Sequence, residues 1–164
     1  MKSFGYLLLL VSSSALAQQQ AKVYLFFDTE CPICQAYTGR LQGLYQEYKT
    51  QATFEVIYPM ANVSRKAIRK FNREYRFKMP SQIDTDHALT KRHNARTTPE
   101  VFVFDQNGKL QYSGAIDNQF FELGKARPKA TTFYLADALK AITQNSVVAS
   151  PRVEPVGCLI NRRR

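Results

Sequence analysis

The chain has 164 residues, 45% of them hydrophobic and 22% charged, with a formal charge of +10, no tryptophan and three cysteines. A chain of this size builds one domain with a real core and does not need disulfides merely to fold, which excludes the small disulfide-stapled scaffolds. The cysteines therefore lean towards chemistry, and an odd number leaves one thiol over however they pair.

The first segment, MKSFGYLLLLVSSSALAQQQ, carries an early charge at Lys2, an apolar run from Phe4 to Val11 and small residues at Ala15 and Ala17. That is the layout of a secretory leader cut after Ala17. The run is shorter than the roughly 20 residues that span a bilayer, and no later segment is long and apolar enough to do so. The expectation is an exported protein, periplasmic in a Gram-negative bacterium and otherwise secreted, with no integral membrane segment in the mature chain. The division that follows is a signal peptide at 1–17, one domain at 18–147 and a C-terminal tail at 148–164.

Lys22 to Phe27 is an apolar, aromatic run with the look of a buried strand. It leads directly into DTECPICQ. From Pro32 to about Lys49, Tyr37, Leu41, Leu44, Tyr45 and Tyr48 recur at helical spacing, and a proline in the first turn suits a helix start. Thr53 to Met60 reads as a second strand. In Ser64 to Lys78, Ile68, Phe71 and Tyr75 share one helix face and leave the basic residues on the other.

That basic face reads as a solvated surface rather than a nucleic-acid footprint, because no recognition motif accompanies the charge. An anionic membrane surface or an acidic partner stays open. A short helix around His87 to His93 precedes Thr97-Thr98-Pro99, and Val101 to Asp105 is a third strand. Asn107-Gly108 marks a hairpin turn into Leu110 to Ala115. With a two-residue turn there, Gly114 pairs with Val101 and Ala115 with Glu100.

Ile116 to Ala130 looks irregular, and Phe120 and Phe121 in it are either core or a wall of the site. Phe133 to Thr143 is the last helix. Pro151 and Pro155 argue against a compact helix in the tail. The whole reads as α/β, a mixed sheet with helices on its faces, an insertion before the last helix and an extended tail.

Cys31 and Cys34 stand at the strand-to-helix junction with two residues between them, a redox-type spacing. Unpaired N–H groups at the helix start stabilise a Cys31 thiolate, while Asp28 and Glu30 oppose it. Cys34, one turn on, is placed to close a disulfide with Cys31.

On ECPIC, TTPEVFVFDQNGKLQYSG, SGAIDN and EPVGCLI, the sequence resembles the thioredoxin-like superfamily, in its branch of exported redoxin-domain, peroxiredoxin-related oxidoreductases. The resemblance implies a thioredoxin-like fold and thiol-disulfide exchange with protein or small-molecule disulfides. It makes Cys31 the attacking thiol, Cys34 the resolving one, and Thr98 with a cis Pro99 the clamp facing them. It also implies that the redox-active Cys31–Cys34 disulfide serves in place of any organic cofactor or metal. Partners would be protein thiols or disulfides and a recycling redox protein, with no nucleic acid, and the chain is expected to be a monomer.

The departures are specific. Glu30 stands where thioredoxins have Trp, and Leu25 where they have a buried acid, leaving Glu100 as the candidate proton-transfer acid. The peroxidase pattern Pro-x-x-x-Thr-x-x-Cys fits neither cysteine. Copper chaperones of this fold have a histidine where this chain has Thr97-Thr98, which leaves His87 and His93, both expected at the surface, as the only histidines for a metal reading. Cys158 is either an inert buried cysteine or an additional redox thiol packed back near Cys31.

Overall fold

Strict alternation along the first strand sets the two faces of the molecule. In the computed structural model, which describes residues 20–161, strand β1 is Ala21–Phe26. Val23 and Leu25 point into the larger hydrophobic cluster with Phe27, whereas Phe26 faces a smaller one with Ile57, Ala95, Phe102 and Ile160. A strand buried on both faces needs a nearly unbroken apolar run, which is what this segment has. The expected leader at 1–17 and the terminal arginines lie outside the described residues.

Helix α1 (Pro32–Tyr48) follows, then strand β2 (Ala52–Tyr58) and helix α2 (Arg65–Glu74). Ser64 caps α2 by accepting the Ala67 amide at 3.1 Å. Ile68 and Phe71 are buried while Arg65, Lys66, Arg69, Lys70 and Arg73 are exposed, the solvated basic face read from the sequence. Strand β3 (Ser81–Ile83), helix α3 (Ala88–His93) and strands β4 (Thr97–Thr98), β5 (Glu100–Phe104) and β6 (Leu110–Gly114) come next. The remaining elements are strands β7 (Phe120–Glu122) and β8 (Lys125–Ala126), helix α4 (Tyr134–Thr143), and strands β9 (Arg152–Val153) and β10 (Cys158–Leu159).

The main sheet runs β3-β2-β1-β5-β6-β9, with β1, β2 and β3 mutually parallel, β5 antiparallel to both β1 and β6, and β9 parallel to β6. Buried residues of α1, α2 and α4 fill the larger cluster on one face, and Leu89 of α3 packs on the smaller cluster. This is the mixed sheet with flanking helices that the sequence implies.

Three details differ from expectation. The pairing of Val101 with Gly114 holds, and so do the next two pairs, but the ladder then shifts so that Phe104 faces Leu110. The shift arises because Asp105 Oδ1 accepts the amides of Asn107 and Lys109 at 2.9 and 3.0 Å, which tightens a longer turn in place of a two-residue one. Ala115 does not continue the ladder to Glu100 but donates its amide to Val153 O at 3.0 Å. Gly114, at φ +123°, admits that approach, since a Cβ there would overlap the Val153 carbonyl.

The stretch expected to be irregular contains the β7–β8 hairpin. It is tied down by Asn118, whose Oδ1 accepts the amides of Thr131 and Thr132 at 2.8 and 3.1 Å. Asp117 anchors its base, accepting from Tyr37 Oη at 2.6 Å and from the Gln119 amide at 2.7 Å while pairing with Arg40. Replacing Asp117→Ala removes the charge that pairs with a partly buried Arg40. The expected loss is about 2 kcal/mol, below the full cost of breaking a buried pair because Arg40 keeps some solvent, and it should appear as a lower urea midpoint with an unchanged slope.

Candidate active site at the cysteine junction

Four hydrogen bonds shape the loop that carries the first cysteine. The Phe27 amide still donates to Ile57 O at 2.9 Å, so the chain leaves the sheet only at Asp28. Asp28 Oδ1 then accepts the Glu30 amide at 3.1 Å, and the Gln35 side-chain amide closes the loop onto Thr29 O at 3.0 Å. Cys31 takes the extended N-cap conformation, Pro32 fills the first helical position, and the Gln35 amide returns to Cys31 O at 3.0 Å. The sequence pattern therefore places Cys31 at the positive end of a 17-residue helix and Cys34 one turn inside it.

Opposite this junction the Thr98–Pro99 peptide bond is cis, and both residues are buried. Thr98 touches all three cysteines. Its carbonyl oxygen lies 3.3 Å from Cys31 Sγ, its hydroxyl points to Cys158 O at 3.5 Å, and that hydroxyl also favours the charged form of Cys34. Cys158 pairs with Thr98, and Leu159 with Thr97, across the β10–β4 ladder.

The disulfide in this structure joins Cys31 to Cys158, with Cα atoms 6.3 Å apart, and Cys34 is the free cysteine. It is not the Cys31–Cys34 bond that the sequence implied. The reason is the tail: β10 lays Cys158 over the helix start, and Cys34, fully enclosed below, keeps its thiol. As a disulfide sulfur, Cys31 has no proton for Thr98 O, and their 3.3 Å approach becomes a hydrogen bond only on reduction.

Electrostatics at Cys34 are dominated by burial, which pushes its thiol far above the ordinary range. The Asp28 amide, 3.4 Å from Sγ, and the Thr98 hydroxyl act the other way, and the Asp28 charge adds to the rise. Asp28 itself is buried, and its carboxyl is raised by that burial against the opposing bond from the Glu30 amide. Tyr58 completes the group. Its hydroxyl is buried with no hydrogen-bond partner among the described residues, and its acidity is suppressed by burial and then by the charges of Cys34 and Asp28.

Glu100 lies elsewhere. On β5 it shares the face of Phe102, whereas Val101 and Val103 face the cluster that contains the cysteines. Its Oε2 accepts the amides of Arg96 and Thr97 at 2.7 and 3.2 Å, which ties the chain just ahead of Thr98. The histidines are not the surface residues expected: His87 is buried with Nε2 2.8 Å from Pro59 O, and His93 is half-buried among Tyr24, Phe26, Phe102 and Phe104. His93 thus sits across the sheet from the cysteines. Phe120 packs edge-on against Tyr37 with ring centroids 5.3 Å apart, while Phe121 is exposed under Arg127.

Sequence reasoning missed Tyr58, met Asp28 only as a charge, and met Gly157 and Ile160 only within the EPVGCLI motif; of its two readings of Cys158, the structure shows the placement beside Cys31. The signal for the tail was present in the apolar spacing of Pro155, Val156 and Ile160 around the third cysteine, yet nothing local says which edge such a segment will join.

A mixed sheet with a Cys-x-x-Cys pair capping the helix after its central strand, facing a cis proline, defines a thioredoxin-like protein. More particularly, the chain belongs to the AhpC/TSA family, whose sequence profile matches residues 10–113. It is similar to the thiol-disulfide oxidoreductase ResA of Halalkalibacterium halodurans, at 26% identity over 59% of this chain and 56% of that one. It is also similar to ResA of Bacillus thuringiensis, at 28% identity over 52% and 49% of the two chains.

The chain thus spans about half the length of the curated relatives it matches. Among solved structures, an uncharacterised conserved protein from Geobacillus kaustophilus superposes with a TM-score of 0.75 at 22% identity, covering 88% of this chain and 78% of that one. A hypothetical protein from Sinorhizobium meliloti gives 0.74 at 20%, covering 87% and 80%. Both share the fold.

With Cys31 and Cys158 joined, the one remaining thiol is buried and hard to ionise. Iodoacetamide should modify Cys34 at least about a hundredfold faster in concentrated guanidinium than in native buffer, as counted by mass spectrometry. Equal rates would mean that Cys34 is not enclosed as described.

Proposed function

We propose that the chain is an exported thiol-disulfide oxidoreductase that uses the Cys31/Cys34 pair on protein thiols or disulfides. In this reading it is a monomer that needs no metal, organic cofactor or nucleic acid. The observation that carries the reading is the pair itself: one sulfur on the helix cap against Thr98, the second one turn below it and buried. The names of the ResA relatives support the same chemistry.

In the reducing direction the Cys31 thiolate attacks one sulfur of a substrate disulfide. A Cys31 mixed disulfide forms, and the other substrate sulfur leaves as a thiolate that takes up a proton. Cys34 then gives up its proton and attacks Cys31 Sγ, forming Cys31–Cys34 and releasing the second substrate thiol. The oxidising direction is the reverse.

Helix-start N–H groups stabilise the Cys31 thiolate. Thr98 and Pro99 form the wall against which the mixed disulfide lies, and Cys158 acts as an additional redox thiol. Asp28, whose amide touches Cys34 and whose carboxyl shares its enclosure, accepts the Cys34 proton. Glu100 acts by positioning, since its carboxylate holds the Arg96–Thr97 backbone from the other face.

The test is a redox titration of the full chain in glutathione buffers with alkylated cysteines located by mass spectrometry. The expected result is a two-electron transition that includes a Cys31–Cys34 species, with a midpoint between about −270 and −120 mV, and a Cys31→Ser variant that catalyses no exchange. A chain that forms no Cys31–Cys34 disulfide at any potential refutes the reading. The proton roles separate by pH profile: Asp28→Asn should displace the profile of the resolving step. Glu100→Gln, which keeps an acceptor oxygen, should leave it in place, while Glu100→Ala should lower exchange at every pH.

A further inference from the structure

Residues 157–160 lie where an extended peptide beside Cys31 would have to lie, and they are held as a ligand is held. Cys158 and Leu159 form an antiparallel ladder with Thr98 and Thr97, and the Ile160 amide extends it to Arg96 O at 2.9 Å. Gly157 presses against Thr98 so closely that a Cβ would overlap the Thr98 carbonyl. Ile160 is buried with Phe26, Ile57, Ala95 and Phe102, whereas Leu159 is 76% exposed.

Backbone pairing, one position that only glycine fills, one aliphatic anchor, one outward side chain and a covalent bond to Cys31 together describe a bound cysteine peptide. The segment is also tethered on a short lead. Its upstream strand β9 is fixed to β6 through Ser113 N to Pro151 O and Ala115 N to Val153 O, both 3.0 Å, so only the stretch after Val153 has to move.

We propose that the β4 edge is a slot for an extended segment of the pattern Gly-Cys-x-aliphatic, and that the chain's own residues 157–160 are its resident occupant. An outside cysteine peptide reaches Cys31 only after this occupant leaves. The release consumes no oxidant. The Cys34 thiolate attacks Cys31 Sγ, the Cys31–Cys158 bond breaks as Cys31–Cys34 forms, and the electron pair departs on Cys158, which takes up one proton in place of the one Cys34 lost.

In the occupied form Cys31 is 1% exposed and Cys34 is fully enclosed, so of the three sulfur-bearing residues only Cys158 is partly open to solvent. The release step rests on the oxidoreductase reading. Occupancy of the slot does not.

The experiment compares the fully reduced wild-type chain with Gly157→Val, which cannot approach Thr98, and Ile160→Asp, which loses the anchor. The rates of Cys31 and Cys34 alkylation by iodoacetamide are followed by peptide mass. The expected result is a rise of about tenfold or more at Cys31 in both variants, with Cys34 still slow as the internal sign of an intact core. A free peptide spanning residues 154–161 with serine at the cysteine position should slow Cys31 again in the variants, and the same peptide with valine at the glycine position should not.

Equal Cys31 rates in wild type and variants overturn the proposal. Independently of folding in the variants, the oxidised wild-type chain held at neutral pH should contain both Cys31–Cys158 and Cys31–Cys34, with one free thiol throughout. A chain locked in Cys31–Cys158 overturns the release step. If Cys31 is uncovered in the variants but no Cys31–Cys34 bond ever forms there, the occupancy stands and the oxidoreductase reading falls. If that bond forms but Cys31 is no easier to reach, the reverse holds.

Discussion

Everything at the active face hangs on one residue's backbone. Thr98 offers its carbonyl to Cys31, its hydroxyl towards Cys158 and Cys34, and its main chain to the β10 ladder, while Pro99 interrupts the strand just after it. A proline supplies no N–H, so the chain divides there into β4, which is free to pair outward, and β5, which belongs to the central sheet. Glu100 makes the division rigid from behind by taking up the amides of Arg96 and Thr97. A carboxylate that would be costly to bury alone is tolerated because two backbone donors meet it.

The two cysteines of the pair experience opposite physics although they are three positions apart. Cys31 lies under the tail at the end of a helix whose N–H groups favour a negative sulfur. Cys34 sits in an enclosure where burial favours the neutral thiol, beside Asp28 and a Tyr58 hydroxyl with no bonded neighbour among the described residues. Two cysteines three positions apart thus meet opposite fields, a helix end that favours charge and an enclosure that opposes it.

Much of this was legible in the chain itself. The first strand, the long helix, the basic amphipathic helix and most of the hairpin register follow from periodicity and turn residues, because each is decided within one window of sequence. What was not legible depends on partners far away in the chain. Strand β3 has polar Ser81 and Gln82 and exists because β2 offers an edge. The order within 116–130 comes from one asparagine reaching Thr131 and Thr132. The pairing of Cys158 depends on where a tail of two-residue strands settles, and from the sequence a place beside Cys31 was only one of two readings. Glu100 illustrates the same limit from another side: alternation says it must face one way or the other, and only its neighbours Phe26 and Phe102 decide which.

The placement of β9 has a consequence beyond the active face. The main sheet would otherwise end at β6, presenting a bare ladder of N–H and C=O groups at one margin, and β9 covers the Ser113–Gly114 end of that margin with two residues and a glycine cut to fit. Open sheet margins invite other chains to add on, and this short strand reduces the length of β6 left open in that way. The same tail therefore covers both a sheet margin and Cys31. Proteolytic loss of that tail would unmask both surfaces in a single cut, leaving a protein more open to partners and more prone to stick to copies of itself.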